Sequence, residues 1–232
     1  MVRGRIAVVL GLVACLTWAS NLRAQAFQNL DFENANLSVI PSGEFGGSVP
    51  ITNAIPFWVG YLGTNQVTQV LQNNLTLGNA SIDILGPDWN TSVILQGQYT
   101  VELQPGQNPF TGSGLVNASL AQVGLIPTNA KSIMLEALGT GTNFTVSFAG
   151  QTISLSAIGS GPNYTLFGGD ISSFADQVGE LRLSTLSPLG AGVLLDAISF
   201  STQAIPEPSG LSLVMMGIAG LGVWRLASRK TR

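Results

Sequence analysis

The chain has no histidine and a single cysteine, and only 9% of its 232 residues are charged. Without histidine it lacks the side chain most used for proton transfer near neutral pH and for transition-metal ligation. Cys15 falls inside an apolar N-terminal run, so the portion that follows has no thiol and cannot be held by disulfides. An average soluble domain is roughly 25% charged, so solubility here rests on Ser, Thr, Asn, Gln and Gly. Basic residues are scarcer still, since seven of the nine lie in the two terminal segments and only Lys131 and Arg182 remain between them. Residues 27 to 208 thus set two bases against twelve acids, a net of −10. Such a body releases no counterions from phosphate, which excludes nucleic acid as its partner.

What is present begins at the ends. Arg3 and Arg5 precede an apolar run from Ile6 to Leu16, and Ala24-Gln25-Ala26 supplies the small residues that signal peptidase requires. The run is shorter than the roughly 20 residues that span a bilayer. It reads as a signal helix over residues 1–26, delivered to the Sec translocon and cut after Ala26. Leu12-Val13-Ala14-Cys15 also has the look of a lipobox, a rival that would lipidate Cys15.

At the other end, Pro206-Glu207-Pro208 is followed by a Gly-rich apolar stretch and a basic end carrying Arg225, Arg229, Lys230 and Arg232. Two prolines keep helix from running back into the preceding residues and hold Glu207 in extended backbone. The apolar stretch is long enough to enter a membrane, and the basic end stops transfer on the cytoplasmic side. A Leu-Pro-x-Thr-Gly pentapeptide is absent, and a GPI signal would end apolar.

This order of tripeptide, helix and basic end resembles the PEP-CTERM tail of Gram-negative bacteria that make exopolysaccharide. The resemblance covers residues 204–232, with the motif at 206–208, a transmembrane helix over 209–226 and a basic end over 225–232. It implies processing by an exosortase-type membrane transpeptidase, transient anchoring in the inner membrane with the body on the periplasmic side, and a final place at the cell surface or in the extracellular matrix. The partner it implies is an exopolysaccharide or other glycan of a biofilm.

Between the ends, residues 27–203 read as short alternating segments divided by Gly, Asn, Pro and Ser, an all-β pattern. Strands are predicted over 66–71, 80–85, 91–95, 98–103, 132–138, 143–148, 152–158, 180–185 and 192–200. Ala149-Gly150-Gln151 reads as a tight hairpin. Residues 171–178 fit a turn or two of helix, and 115–123 fit strand or helix equally. The expected fold is a two-sheet antiparallel sandwich, jelly-roll-like, flanked by the signal helix and the C-terminal transmembrane helix.

The segments 27–34 and 193–200 resemble the first and last strands of galactose-binding-like jelly rolls, a group that includes many carbohydrate-binding modules. The resemblance implies that these strands lie side by side and hold a structural calcium, a role falling here on Asp31, Glu33 and Asp196. In that family the closing strand often has two adjacent acids, and here Ala197 takes the second position. No other cofactor is expected.

Trp58, Tyr61, Trp89 and Tyr99 offer flat faces against which a sugar can stack. Trp89 and Tyr61 are the candidates for glycan contact, Trp89 because Pro87, Asp88 and Asn90 place it in a loop, whereas Trp58 is expected in the core. Catalysis would need a nucleophile beside a base, or paired carboxylates in a cleft. The chain has no Gly-x-Ser-x-Gly elbow, and Asp83 with Asp88 or Asp170 with Asp176 are the acid pairs the spacing suggests. The reading is a non-enzymatic exported surface or matrix protein, with a specific carbohydrate-binding module as the alternative and a secreted hydrolase behind both.

Overall fold

The computed structural model describes residues 25–41, 44–74, 76–89, 91–139, 143–186 and 191–205. The signal helix, Ala24, the Pro206-Glu207-Pro208 motif, the transmembrane helix and the basic end of the sequence reading lie outside them. No helix among the described residues is long and apolar enough to cross a membrane.

Two sheets make up most of the fold. The larger has eight strands, in the order β1 (Ser48–Pro50), β4 (Gln69–Gln72), β5 (Ser81–Leu85), β6 (Thr100–Gln104), β16 (Val193–Ser201), β10 (Ser132–Leu138), β14 (Thr165–Asp170) and β13 (Leu155–Ser160). The smaller has six, in the order β12 (Gln151–Ile153), β11 (Phe144–Phe148), β15 (Val178–Thr185), β9 (Ala118–Leu125), β2 (Val59–Leu62) and β3 (Asn65–Val67). A short ribbon pairs β7 (Gly106–Gln107) with β8 (Leu115–Val116). Among the described residues the named strands pair antiparallel except β4 with β5, and two isolated bridges, Ala26 with Leu125 and Asn79 with Gln107, are parallel. Among the described residues the helical content is one turn, α1 (Ile51–Ala54), and two 3-10 turns at Thr91–Val93 and Ser172–Phe174.

Alternation along each strand explains why the sheets face one another. Phe144, Val146 and Phe148 on β11, Leu181 and Leu183 on β15, and Leu120 on β9 meet Val101 and Leu103 on β6, Ile133 and Leu135 on β10, and Leu195 on β16 in one buried core. Each such side chain contributes about 1.5–3 kcal/mol by leaving water. Trp58 is in this core as the sequence suggested, with its indole N–H donating to the Asn29 carbonyl at 2.9 Å.

Several expected elements take a different form. The segments read as single strands over 152–158 and 66–71 each break and change sheets, at Ser154 and Thr68. Gly169 makes the first crossing possible, because a Cβ there would stand 2.8 Å from the Ser154 carbonyl oxygen and closer still to Ile153. Residues 91–95, read as a strand, begin with the 3-10 turn at Thr91–Val93. The ambiguous stretch 115–123 is strand, split between β8 and β9. The hairpin at Ala149-Gly150 is as expected, but both residues have positive φ, 48° and 78°, the backbone of a two-residue turn that matches strand twist.

The N-terminal segment 27–34, expected as a strand, is irregular. It nevertheless lies beside the last strand. A bulge in β16 sets Ala197 at φ 48° and leaves the Ile198 amide free of β10, so it donates to the Leu30 carbonyl at 2.9 Å. The rings of Phe27 and Phe200 then pack 5.5 Å apart.

Candidate functional site

On the solvent side of the six-stranded sheet, alternation brings out Val59 and Tyr61 from β2, Ser119, Ala121 and Val123 from β9, and Glu180, Arg182 and Ser184 from β15. Register aligns Tyr61, Ser119 and Ser184 in one row, Val59, Ala121 and Arg182 in the next, and Val123 with Glu180 in a third. Because Ala121 is small, the Arg182 side chain can lie across it toward β2. Its guanidinium carbon sits 4.5 Å from the centre of the Tyr61 ring, Nη1 donates to Ser119 Oγ at 3.1 Å, and Nε donates to Glu180 Oε1 at 2.8 Å. A planar cation held on an aromatic face between two hydrogen-bond partners is an ordered platform.

Beside it is an open hollow of about 290 Å³ lined by Phe57, Val59, Tyr61, Val123 and Glu180, with Gln25 and Ala26 at one side. Phe57 and Val123 are 53% and 64% exposed, an unusual loss of apolar burial on a face that faces water. Phe57 also has φ of 72°, a backbone state that aromatic residues rarely adopt. Both its neighbours are clamped by Asn29, which donates from Nδ2 to the Pro56 carbonyl at 3.1 Å and accepts the Trp58 indole. The clamp holds the strain and presents the Phe57 ring at the rim. An apolar rim, a flat ring and convergent donors and acceptors suit a ligand that has both CH faces and hydroxyls.

Of the two aromatics singled out in the sequence, Tyr61 is part of this platform and Trp89 is elsewhere. Trp89 is half-buried, packs 5.4 Å from Phe45, and joins Leu85, Leu95 and Leu194 in a small cluster on the outer side of the eight-stranded sheet. The two rings are on opposite faces of the sandwich and cannot share one ligand. Sequence reasoning missed Arg182, Glu180, Phe57 and Val123. Arg182 had a signal, as one of only two basic residues in the body.

Asp31, Glu33 and Asp196, the residues the sequence reading assigned to a structural calcium, have separate hydrogen-bond partners. Glu33 Oε1 accepts from the Gln98 and Tyr99 amides at 2.8 and 3.0 Å, and Asp31 Oδ1 accepts from the Glu33 amide at 3.4 Å. Asp196 accepts from Thr100 Oγ1 at 2.7 Å and from the Gln96 and Ala197 amides. Each of the three carboxylates is thus engaged by donors of its own surroundings, whereas calcium takes six to eight oxygens around one centre. Among the described residues, no three Asp, Glu, His or Cys side chains gather as a metal site.

The acids cluster differently. Strand register sets Asp83 opposite Glu102 and Asp196 opposite Glu136, all on the outer side of the eight-stranded sheet. Burial pushes Asp83 up to about 8, with the Glu102 charge adding to it against the Asn74 and Asn73 amides. Burial likewise raises Asp196 to about 7 and raises Glu102 and Glu136, the last offset by a hydrogen bond from Tyr164. Asp83 Oδ1 and Glu136 Oε2 have no hydrogen-bond partner. The suggested partner of Asp83, Asp88, is exposed at a turn, whereas Asp83 is buried. Asp170 caps the Ser172 amide at 2.8 Å.

No protein-family profile matches the chain, and no curated protein matches it. Among solved structures it is similar to TmCBM61 in complex with beta-1,4-galactotriose, at 11% identity and a TM-score of 0.38, covering 77% of this chain and 99% of the other. It is also similar to the family 11 carbohydrate-binding module from Clostridium thermocellum in complex with a beta-1,3-1,4-mixed-linked tetrasaccharide. That likeness has 10% identity and a TM-score of 0.37, and covers 72% of this chain and 100% of the other.

Proposed function

We propose that this protein is a non-catalytic glycan-binding sandwich that takes its ligand on the outer face of the six-stranded sheet. The observation that carries the proposal is the Tyr61–Arg182–Glu180 platform beside the exposed Phe57 and Val123. Tyr61 and Phe57 offer apolar faces to the CH side of a sugar ring, while Arg182, Glu180 and Ser119 supply donors and acceptors for its hydroxyls. Glu180 offsets the Arg182 charge and the body is acidic, which favours a neutral polymer over an anionic one. Binding to an array of neutral glycans tests this. Tyr61→Ala should abolish selective binding and Trp89→Ala should leave it intact; the reverse pattern would move the site to the opposite face, and no binding at all would leave a structural matrix role.

Export and sorting form the second half of the proposal, and their support is the order of motifs in the sequence. A signal peptide cut after Ala26 sends the body across the inner membrane, the helix over 209–226 anchors it, and an exosortase-type transpeptidase acts at Pro206-Glu207-Pro208. The product joins the exopolysaccharide or biofilm at the surface of a Gram-negative cell. Replacing the three motif residues by alanine and fractionating the cells tests it, since unchanged maturation and location would count against sorting.

A further inference from the structure

Gln25 and Ala26 are held at the hollow by little. The Leu125 amide donates to the Gln25 carbonyl at 3.0 Å, and Ala26 makes an isolated parallel bridge to Leu125. Pairing of β2 with β9 stops at Val59 opposite Ala121, so these two residues occupy the place beside β9 that β2 leaves vacant. Both are exposed, and both line the hollow.

One residue later the anchoring changes. The Phe27 ring packs on Phe200 and lies over Gly124, where a Cβ would stand 2.8 Å from the ring. Gln28 donates its amide to Gln122 Oε1 at 2.6 Å and accepts from Gln122 Nε2 at 2.9 Å. The bond between Ala26 and Phe27 thus divides a pair that only walls the hollow from a segment built into the fold. It is also the bond at which the sequence places signal-peptide cleavage.

We infer that Gln25 and Ala26 cover one end of the glycan-binding hollow in the uncleaved chain, and that cleavage after Ala26 opens it, so that binding is gained on maturation. The inference rests on the glycan-binding reading and on cleavage at that bond. Cleavage removes one wall, releases the Leu125 amide and leaves Phe27 and Gln28 to hold the edge. A chain still attached to its signal segment would then be unable to engage glycan before it is exported.

The test compares two exported forms of the chain that differ only in their first residue, Phe27 or Gln25. The probes are beta-1,4-galactotriose, the beta-1,3-1,4-mixed-linked tetrasaccharide and the neutral glycan array, with amide hydrogen exchange at Leu125 followed in parallel. The Phe27 form should bind its best probe about tenfold or more tightly than the Gln25 form. Its Leu125 amide should also exchange faster. Equal, measurable affinity of the two forms overturns the covering role and leaves the glycan reading standing. Failure of both forms on every probe overturns the glycan reading and this inference with it. Equal exchange at Leu125 overturns the contact itself.

Discussion

Asp83 contributes stability that is lost as pH rises, the reverse of an ordinary paired carboxylate, and Asp83→Asn should remove that contribution while the raised Asp196, Glu102 and Glu136 keep theirs. The carboxyl is 2% exposed, faces Glu102 across the β5–β6 pair, and receives the Asn74 amide at 3.0 Å on Oδ2. Burial and the neighbouring acid push it up from 3.8 to about 8. Because the folded value lies above the unfolded one, the folded protein keeps this proton between those two pH values while the unfolded chain releases it. Stability is therefore fully present below about pH 4 and is lost as pH rises toward 8. At about 1.4 kcal/mol per unit, the ceiling is about 6 kcal/mol, and water entry or a shift of Glu102 lowers it. A typical domain has 5–15 kcal/mol in total, so even half of the ceiling would show. Asn keeps an acceptor for the Asn74 amide and cannot ionise. Urea unfolding followed by tryptophan fluorescence from pH 4.5 to 8.5 should show the parent losing at least about 2 kcal/mol more than Asp83→Asn across that range. Parallel profiles would refute the assignment of a retained proton to Asp83.

Other outcomes follow from the same geometry. Arg182→Lys should weaken glycan binding by about tenfold with stability changed by less than about 1 kcal/mol, because an ammonium cannot lie flat on Tyr61 while bonding Glu180 and Ser119; titration calorimetry beside thermal unfolding checks both. Glu33→Ala should cost about 1–2 kcal/mol in denaturant unfolding by removing a charged acceptor from the exposed Gln98 and half-buried Tyr99 amides, with Glu33→Gln intermediate. Gly60→Ala should cost about 1–3 kcal/mol in the same assay, since its Cβ would press on Ile82, Val67 and Ile51 in the core.

The strands were legible where one face is apolar and the other polar. Phe144-Thr145-Val146-Ser147-Phe148 alternates so regularly that its limits come within a residue of the structure. The failures have physical causes of their own. Residues 152–158 keep one unbroken alternation although the chain changes sheets at Ser154, because Ile153 and Leu155 both reach the core, each from its own sheet. Residues 27–34 carry apolar side chains at strand-like spacing, yet Asn29 and Phe32 at φ 50° and 57° turn the segment on itself.

What the sequence determined alone is whatever depends on near neighbours. That includes the period of two along the strands, the positive φ at Gly150, the burial of Trp58 in an apolar run, and a body without histidine or disulfide chemistry. The tertiary structure alone decided which strand lies beside which. Tyr61 and Arg182 are far apart in the chain and meet only because β2 and β15 flank β9, and Asp83 faces Glu102 rather than Asp88 because β5 pairs with β6. Strands of one pattern are interchangeable as local sequence. Their order is selected by the free energy of the whole core, so groups assembled across strands, the platform and the buried acids alike, take their chemistry from that selection.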